Sequence, residues 1–380
     1  MINVFQPTLG EEELAAVRKV FDSGWIGRGP VTAEFEAGFA RHLRSSPDQV
    51  VSLNSCTEGL FLAMELLAVG PGDEVVLPTV SWVGAANAVA ARCGRPVFCD
   101  VDPRTLNATV DDVTAALTPR TRAVVLLHYG GHPGEVAAVA QLCRERGIAL
   151  VEDAACAVAS RVDGQPCGTF GDLGVWSFDA MKIVVTGDGG MLHARDAELA
   201  AKARRSAYLG LVQTSGFSQA QAAATRWWDI DVTSFSRRSI LNDIAAAIGC
   251  VQLDRLDRFV ERRRAVAAHY DRELAGVAGV RCPPPLPAGH ESSYYLYWVQ
   301  LAGGVRDAVA RRLYDRGVYT TFRYPLLHQV GAYGHSSPLP KAEGAAAETL
   351  CLPLHQALTD ADVEQVVDEL RTAVGAESRP

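Results

Sequence analysis

Lysine is nearly absent from this chain of 380 residues: among 36 basic residues only Lys19, Lys182, Lys202 and Lys341 are lysines, and the rest are arginines. The 44 acidic residues outnumber the basic ones, for a net charge of −8, so the chain lacks the positive surplus that neutralises a nucleic-acid backbone. An anionic small ligand must therefore be held by local features. No C-x-x-C pair occurs among the nine scattered cysteines, which argues against a zinc ribbon or a disulfide framework and suits a reducing cytosol. Most of those cysteines read as small core residues. No apolar run approaches the roughly eighteen residues of a membrane helix. The start, Met1-Ile2-Asn3-Val4-Phe5-Gln6-Pro7, lacks a charged region followed by an apolar one, so no secretory signal is read and a cytoplasmic protein is expected. What is present, 48% hydrophobic and 21% charged residues, is an ordinary globular balance at a length of two or three domains.

Between residues 50 and 193, short β-branched or apolar runs alternate with longer amphipathic stretches. Val50–Leu53, Glu74–Leu77, Pro96–Cys99, Ala123–Leu127, Ile148–Val151 and Val175–Phe178 read as buried strands. Residues 57–69, 83–93, 109–116 and 134–147 read as the helices between them. This alternation predicts an α/β fold with a mostly parallel sheet covered on both faces, whose ligand lies at the carboxyl ends of the strands. Beyond residue 195 the pattern is helical, with one long helix expected to reach Leu274. After Pro283–Pro287 come a strand over Tyr294–Leu301, a helix over 306–316 and a last helix over 360–374. Two units are expected, a large domain over 1–245 and a small C-terminal α+β domain over 246–380.

Three segments at strand ends carry the chemistry. Asn54-Ser55-Cys56-Thr57-Glu58-Gly59 ends a strand and opens a helix; Ser55 and Glu58 fit a capping box, and the same free N–H groups suit a phosphate. Asp153 closes Val151-Glu152-Asp153, where a carboxylate either caps the next segment or pairs with the ring nitrogen of a pyridine cofactor. Lys182 follows Trp176-Ser177-Phe178-Asp179-Ala180-Met181 and precedes Gly187-Asp188-Gly189-Gly190. A lysine there can be desolvated, its pKa lowered, and its amine used to form a Schiff base. His128 and His132 are four apart, but Gly130, Gly131 and Pro133 forbid a helix that would aim both at one metal ion.

With these segments in this order, the chain resembles the DegT/StrS-type nucleotide-sugar aminotransferases, a group of fold type I pyridoxal-phosphate (PLP) enzymes. Ser23-Gly24-Trp25-Ile26-Gly27-Arg28-Gly29-Pro30, Pro78-Thr79-Val80-Ser81-Trp82, Glu152-Asp153-Ala154-Ala155 and Ser177 through Lys182 to Gly190 match its motifs, as do Tyr324-Pro325-Leu326-Leu327-His328 and Cys351-Leu352-Pro353-Leu354-His355. The resemblance implies a large domain with a seven-stranded sheet, PLP and pyridoxamine phosphate as cofactor forms, and Lys182 as both covalent anchor and proton carrier. Asp153 would meet the pyridinium nitrogen and Trp82 would stack on the ring, although a plain core aromatic is the alternative for Trp82. Ser177 and the amides of Cys56 and Thr57 would hold the phosphate, and Ala155 and Cys156 would lie beside the ring.

Two departures from the family pattern stand out. Gln or His is usual where this chain has Cys156, and a thiol is the poorer hydrogen-bond partner. An Asn reaching in from the neighbouring subunit corresponds to Arg238, which would make a charge-assisted phosphate contact or else be a solvated arginine. The expected reaction is amination of a nucleotide-linked keto-sugar, with L-glutamate or glutamine as donor, for an antibiotic or other secondary metabolite. The segment Ser177–Lys182 most resembles enzymes acting at C4 of a dTDP-4-keto-6-deoxyhexose; amination at C3 or of a keto-inositol is the alternative. Trp25, Arg28, Arg237, Arg323, Tyr324 and His328 are the expected substrate contacts, and a homodimer with a shared active site is expected. Lysine at 182, where related dehydrases carry histidine, favours transamination. A non-catalytic sensor would have lost that lysine or gained a basic segment, and a dinucleotide oxidoreductase would carry G-x-G-x-x-G at its first strand–helix turn; neither holds here.

Overall fold

A computed structural model describes residues 1–212, 226, 228–335 and 337–377. Seven strands, β1 (Val50–Leu53), β2 (Glu74–Pro78), β3 (Arg95–Cys99), β4 (Thr121–Leu127), β5 (Ala149–Asp153), β8 (Leu173–Ser177) and β9 (Gly190–Ala194), form one sheet in the order β1-β9-β8-β5-β4-β2-β3. The two-residue strands β6 (Arg161–Val162) and β7 (Gln165–Pro166) form a separate ribbon between β5 and β8. Every neighbour pair in the large sheet is parallel except those made by β9, which runs against both β1 and β8.

Successive side chains of a strand point to opposite faces, and here the alternation feeds two cores. Val50, Val76, Val124, Leu150, Trp176 and Met191 enter one hydrophobic cluster, while Val51, Val75, Val125, Val151, Val175 and Leu192 enter the other. Helices on both faces keep water from each. They include α1 (Glu11–Asp22), α2 (Pro30–His42), α3 (Cys56–Leu66), α4 (Val83–Ala91), α5 (Val110–Ala116), α6 (Val136–Arg146) and α7 (Ala197–Ser206). Phe35 and Phe39 of α2 meet Phe178 edge-on at ring centroid distances of 5.2 and 5.5 Å, which fixes the segment leaving β8.

The expected single helix up to Leu274 is two helices, α8 (Asp243–Asp254) and α9 (Leu256–Leu274). The break is at Arg255, whose guanidinium reaches Glu13 Oε1 of α1 at 2.5 Å. A third hydrophobic cluster lies under α9, α10 (Arg306–Asp315) and α12 (Asp360–Glu377), with α11 (Pro340–Glu348) at its side. It packs on an antiparallel sheet of β10 (Val280–Arg281), β12 (Tyr297–Leu301) and β13 (Thr349–Leu352), while β11 (His290–Glu291) joins β6. The strand expected from Tyr294 begins instead at Tyr297. Tyr294 has φ of 49°, and the N–H groups of Tyr295 and Leu296 both go to Gly130 O, at 3.0 and 3.1 Å. That detour carries Tyr295 towards the carboxyl edge of the large sheet.

Candidate active site

Strand register sets the site. Leu53 pairs with Gly190 and Gly190 with Ser177, so the ends of β1 and β8 and the start of β9 lie in one row. Asp153, the last residue of β5, pairs with Val175 beside them. Helix α3 starts directly above this row. Its N-cap Ser55 accepts the Glu58 N–H at 3.1 Å, and Ser55 O takes the Gly59 N–H. The first helical amides, Cys56 and Thr57, have no intrahelical acceptor and are left for a ligand. Gly190 makes the approach possible: a Cβ there would sit 2.6 Å from Cys56 N and 2.5 Å from the Ser55 carbonyl carbon. Only half of the predicted capping box forms, because the Glu58 carboxylate pairs with Arg237 at 3.2 Å instead.

Lys182 leaves the row by a turn in which its N–H bonds Asp179 O at 2.9 Å. Its Nζ lies 3.9 Å from Cys156 Sγ and 4.5 Å from the centroid of the Tyr295 ring. Burial by itself favours the neutral amine, but the acidic groups around it, Cys156, Tyr295, Cys56 and Asp153, outweigh that effect and raise the Lys182 pKa. The lowered value expected from desolvation alone is thereby corrected: the same enclosure that removes water brings acidic partners within reach. Asp153 is fully buried, and burial pushes its carboxyl pKa up, against the pull of the Ala155 N–H (3.1 Å), Lys182 and His128. Both thiols at the site, Cys56 and Cys156, are raised chiefly by burial. A buried lysine and a buried, sparsely satisfied carboxylate thus face a pair of free helix amides.

A family profile for DegT/DnrJ/EryC1/StrS aminotransferases matches residues 7–371. The chain belongs to this family. It is 59% identical over 98% of its length to the dTDP-4-dehydro-2,3,6-trideoxy-D-glucose 4-aminotransferase of Saccharopolyspora spinosa, covering 97% of that protein. The aminotransferase TlmJ of Streptoalloteichus hindustanus superposes with a TM-score of 0.96 at 67% identity, each chain covered in full. The sugar aminotransferase Spr1654 of Streptococcus pneumoniae, solved in a PLP form, matches with a TM-score of 0.89 at 26% identity over 98% of both chains. The fold is that of fold type I aminotransferases, and the cofactor is pyridoxal phosphate. The donor set fits it: a buried amine, a buried carboxylate with no salt bridge among the described residues, and helix-start amides above the row of strand ends that includes Ser177.

The remaining predicted residues divide into two groups. Tyr324 joins the cluster, its hydroxyl 3.4 Å from Cys156 Sγ and its ring 5.9 Å from that of Trp82. Trp82, at the N-cap of α4, is 47% exposed and so is not the core aromatic that was the alternative reading. Arg323 lies over Phe5 at 4.7 Å, with Nη2 3.1 Å from Met181 Sδ, and has no carboxylate partner among the described residues.

The second group is held elsewhere. Arg28 is held by both oxygens of Glu36, at 3.0 Å each, and by Ser52 Oγ, and Glu36 is shared with Arg204 at 3.0 Å, so the expected substrate arginine is anchored within the protein. His328 was expected at the substrate, yet both ring nitrogens are used, Nε2 on Glu343 at 2.9 Å and Nδ1 on the Thr79 hydroxyl at 2.6 Å. It fastens the end of β2 to α11. Exposed Trp25 donates to Arg28 O at 3.0 Å. Arg237 lies over Phe61 as well as on Glu58, and Arg238 is exposed over the Tyr208 ring.

Three residues escaped the sequence reading. Glu152, next to Asp153, accepts from Gly168 N (2.6 Å), Gly171 N (2.7 Å) and His128 Nε2 (3.0 Å), clamping the loop that enters β8. Asp243 accepts from the N–H groups of Gly29 and Thr32 and from the Thr32 hydroxyl, so it caps α2 across 211 residues of sequence. Tyr295 belongs to no motif. Only the path of the chain reveals it.

Proposed function

We propose that the protein transfers an amino group from L-glutamate to C4 of a dTDP-linked 4-keto-6-deoxy sugar, in the biosynthesis of a secondary metabolite. The observation that carries this reading is Lys182, buried between Asp153, Cys156 and the start of α3. Support for the substrate comes from the name of the Saccharopolyspora relative. Pyridoxal phosphate, when bound, supplies an electron-poor ring that takes up the electron pair released as a proton leaves the nitrogen-bearing carbon. Asp153 supplies negative charge for the ring nitrogen. The Cys56 and Thr57 amides and the Ser177 hydroxyl bind the phosphate at the positive end of α3. Trp82 offers an open ring face, and Ala155 with Cys156 closes the opposite side. Lys182 takes the proton from one carbon and delivers it to another, first for the donor and then for the sugar. Arg323, free of any acidic partner among the described residues, receives an anionic group of the substrate, with Tyr324 next to it.

The active site in this reading is completed in a homodimer. Trp228, Ile230, Val232 and Phe235 are exposed just before Arg237 and Arg238, and exposed large apolar side chains close together in sequence suit a surface that meets a partner. Arg238 then reaches the partner's phosphate site. A cytoplasmic enzyme fits a chain with no helix among the described residues long and apolar enough to cross a membrane. Division near residue 245 into a large and a small domain is part of the same reading, supported by a third core drawn from residues 266–374.

Borohydride reduction followed by peptide mass spectrometry is the test of the anchor. The cofactor should be found on Lys182, and Lys182→Ala should yield no adduct; an adduct of equal yield in the variant overturns the assignment. L-Glutamate should bleach the absorbance of the bound cofactor. Mass spectrometry and NMR of the product from a panel of keto-sugar nucleotides should place nitrogen at C4, and nitrogen at C3 would overturn the regiochemistry.

A further inference from the structure

Among the described residues, Tyr295 is the one aromatic whose ring lies against the Lys182 amine, with Nζ 4.5 Å from its centroid. Its side chain is completely buried, and its hydroxyl finds no hydrogen-bond partner among the described residues. An unpartnered buried hydroxyl is unfavourable, and packing alone would be served better by phenylalanine.

The chain nevertheless fixes this ring firmly. Tyr295 N–H bonds Gly130 O at 3.0 Å, its ring stacks on Phe5 at 5.3 Å and 22°, and its carbonyl lies 3.4 Å from Nη1 of Arg263. Arg263 is itself buried on α9 with no carboxylate partner among the described residues, donating to Tyr294 O, Leu354 O and Gln356 Oε1. A buried cation spent on main-chain carbonyls orders the backbone on either side of it. The charged and titratable groups facing the Tyr295 hydroxyl are Lys182, Cys156 and Arg323, and those facing Lys182 are Cys156, Tyr295, Cys56 and Asp153.

We propose that Tyr295 is a positioning residue for Lys182: the amine, which lies over the ring face, swings to donate a hydrogen bond to the unpartnered phenolic oxygen when it acts on the substrate proton. With one N–H committed to Tyr295, the lone pair of the neutral amine is directed at the carbon whose proton it must take. The ring also closes off water behind Lys182, which keeps the proton between the enzyme and its substrate. This inference rests on the proposed transamination, and it predicts a role for the hydroxyl distinct from that of the ring.

Tyr295→Phe keeps the stack on Phe5 and removes only the oxygen. The rate of the glutamate half-reaction, followed by absorbance in single turnover, should fall by roughly 10- to 100-fold with little change in the half-saturating glutamate concentration. The pH titration of the bound cofactor's absorbance should shift by at least about half a pH unit. Thermal stability should be unchanged or higher, since an unsatisfied group is gone. Tyr295→Leu, which loses the ring as well, should be slower still. A Tyr295→Phe enzyme with wild-type half-reaction rate and an unshifted titration would overturn the proposal. An adduct persisting in Lys182→Ala overturns the underlying reading instead, so the two failures are distinguishable.

Discussion

Among the described residues the Asp153 carboxylate has one backbone N–H partner and no basic side chain in contact, and it is buried from water. Such a carboxyl resists ionisation until a positive group arrives, and in the proposed function a protonated ring nitrogen is that group. Asp153→Asn removes the charge while conserving shape. The covalent attachment to Lys182 should survive, whereas the glutamate half-reaction should slow by about 100-fold or more, on the scale of a lost electrostatic contact in a dry site. Stopped-flow absorbance checks it, and a rate within threefold of wild type, about 0.7 kcal/mol, would deny Asp153 its role. At this scale the sequence was most readable where chemistry needs one residue type. A Schiff base needs an amine that guanidinium cannot replace, so Lys182 stood out among four lysines. Arg28 and His328 are less legible because their types serve structure as readily as binding, and both have internal partners. Nothing local to either residue announces Glu36 or Glu343 as its partner.

Among the elements, the start of α3 is the phosphate site of the proposed function, and Gly190 decides whether α3 can start there. Gly190→Ala would drive a methyl group into the Ser55–Cys56 peptide, and the helix start must move away from β9. Overpacking of this kind costs about 1–3 kcal/mol, measurable by urea denaturation, and the displaced amides should raise the Kd for pyridoxal phosphate by about tenfold or more. Unaltered cofactor affinity with a well-folded variant would show that the α3 amides are not the anchor. The strand and helix pattern that frames this junction was legible because β-branched runs and amphipathic stretches alternate with the correct periods. Boundaries were not, and the reasons are tertiary. Arg255 breaks a helix where its guanidinium finds Glu13, and Tyr294 delays a strand because Gly130 O captures the next two N–H groups.

For the molecule as a whole, acid stability follows from histidines shut away from water. Burial pushes His132, His193 and His355 each from the usual 6.5 down to about 4. In the unfolded chain the same groups take a proton near pH 6.5. Between those values the unfolded state holds more protons, so the stability they contribute is complete above pH 6.5 and is lost as pH falls towards 4. Each contributes on the order of 1 kcal/mol or more across that window. The midpoint of thermal unfolding should therefore fall steeply from pH 6.5 to 4.5, and a flat profile there would mean these histidines are hydrated in the native state.

Composition, hydrophobic period and the order of three strand-end segments were sufficient to determine the α/β class, the mostly parallel sheet and the family, and to single out Lys182 and Asp153, which the structure brings together. Each of these depends on residue type and local spacing, which a linear chain displays. The tertiary structure alone decided the electrostatics of Lys182, the commitment of Arg28 and His328 to internal partners, the capping of α2 by Asp243 and the arrival of Tyr295 at the amine. Those depend on which distant segments meet in space and how much water they exclude. The scarcity of lysine takes its meaning from both: sequence left few amines to choose from, and folding buried Lys182 among Asp153, Cys56, Cys156 and Tyr295.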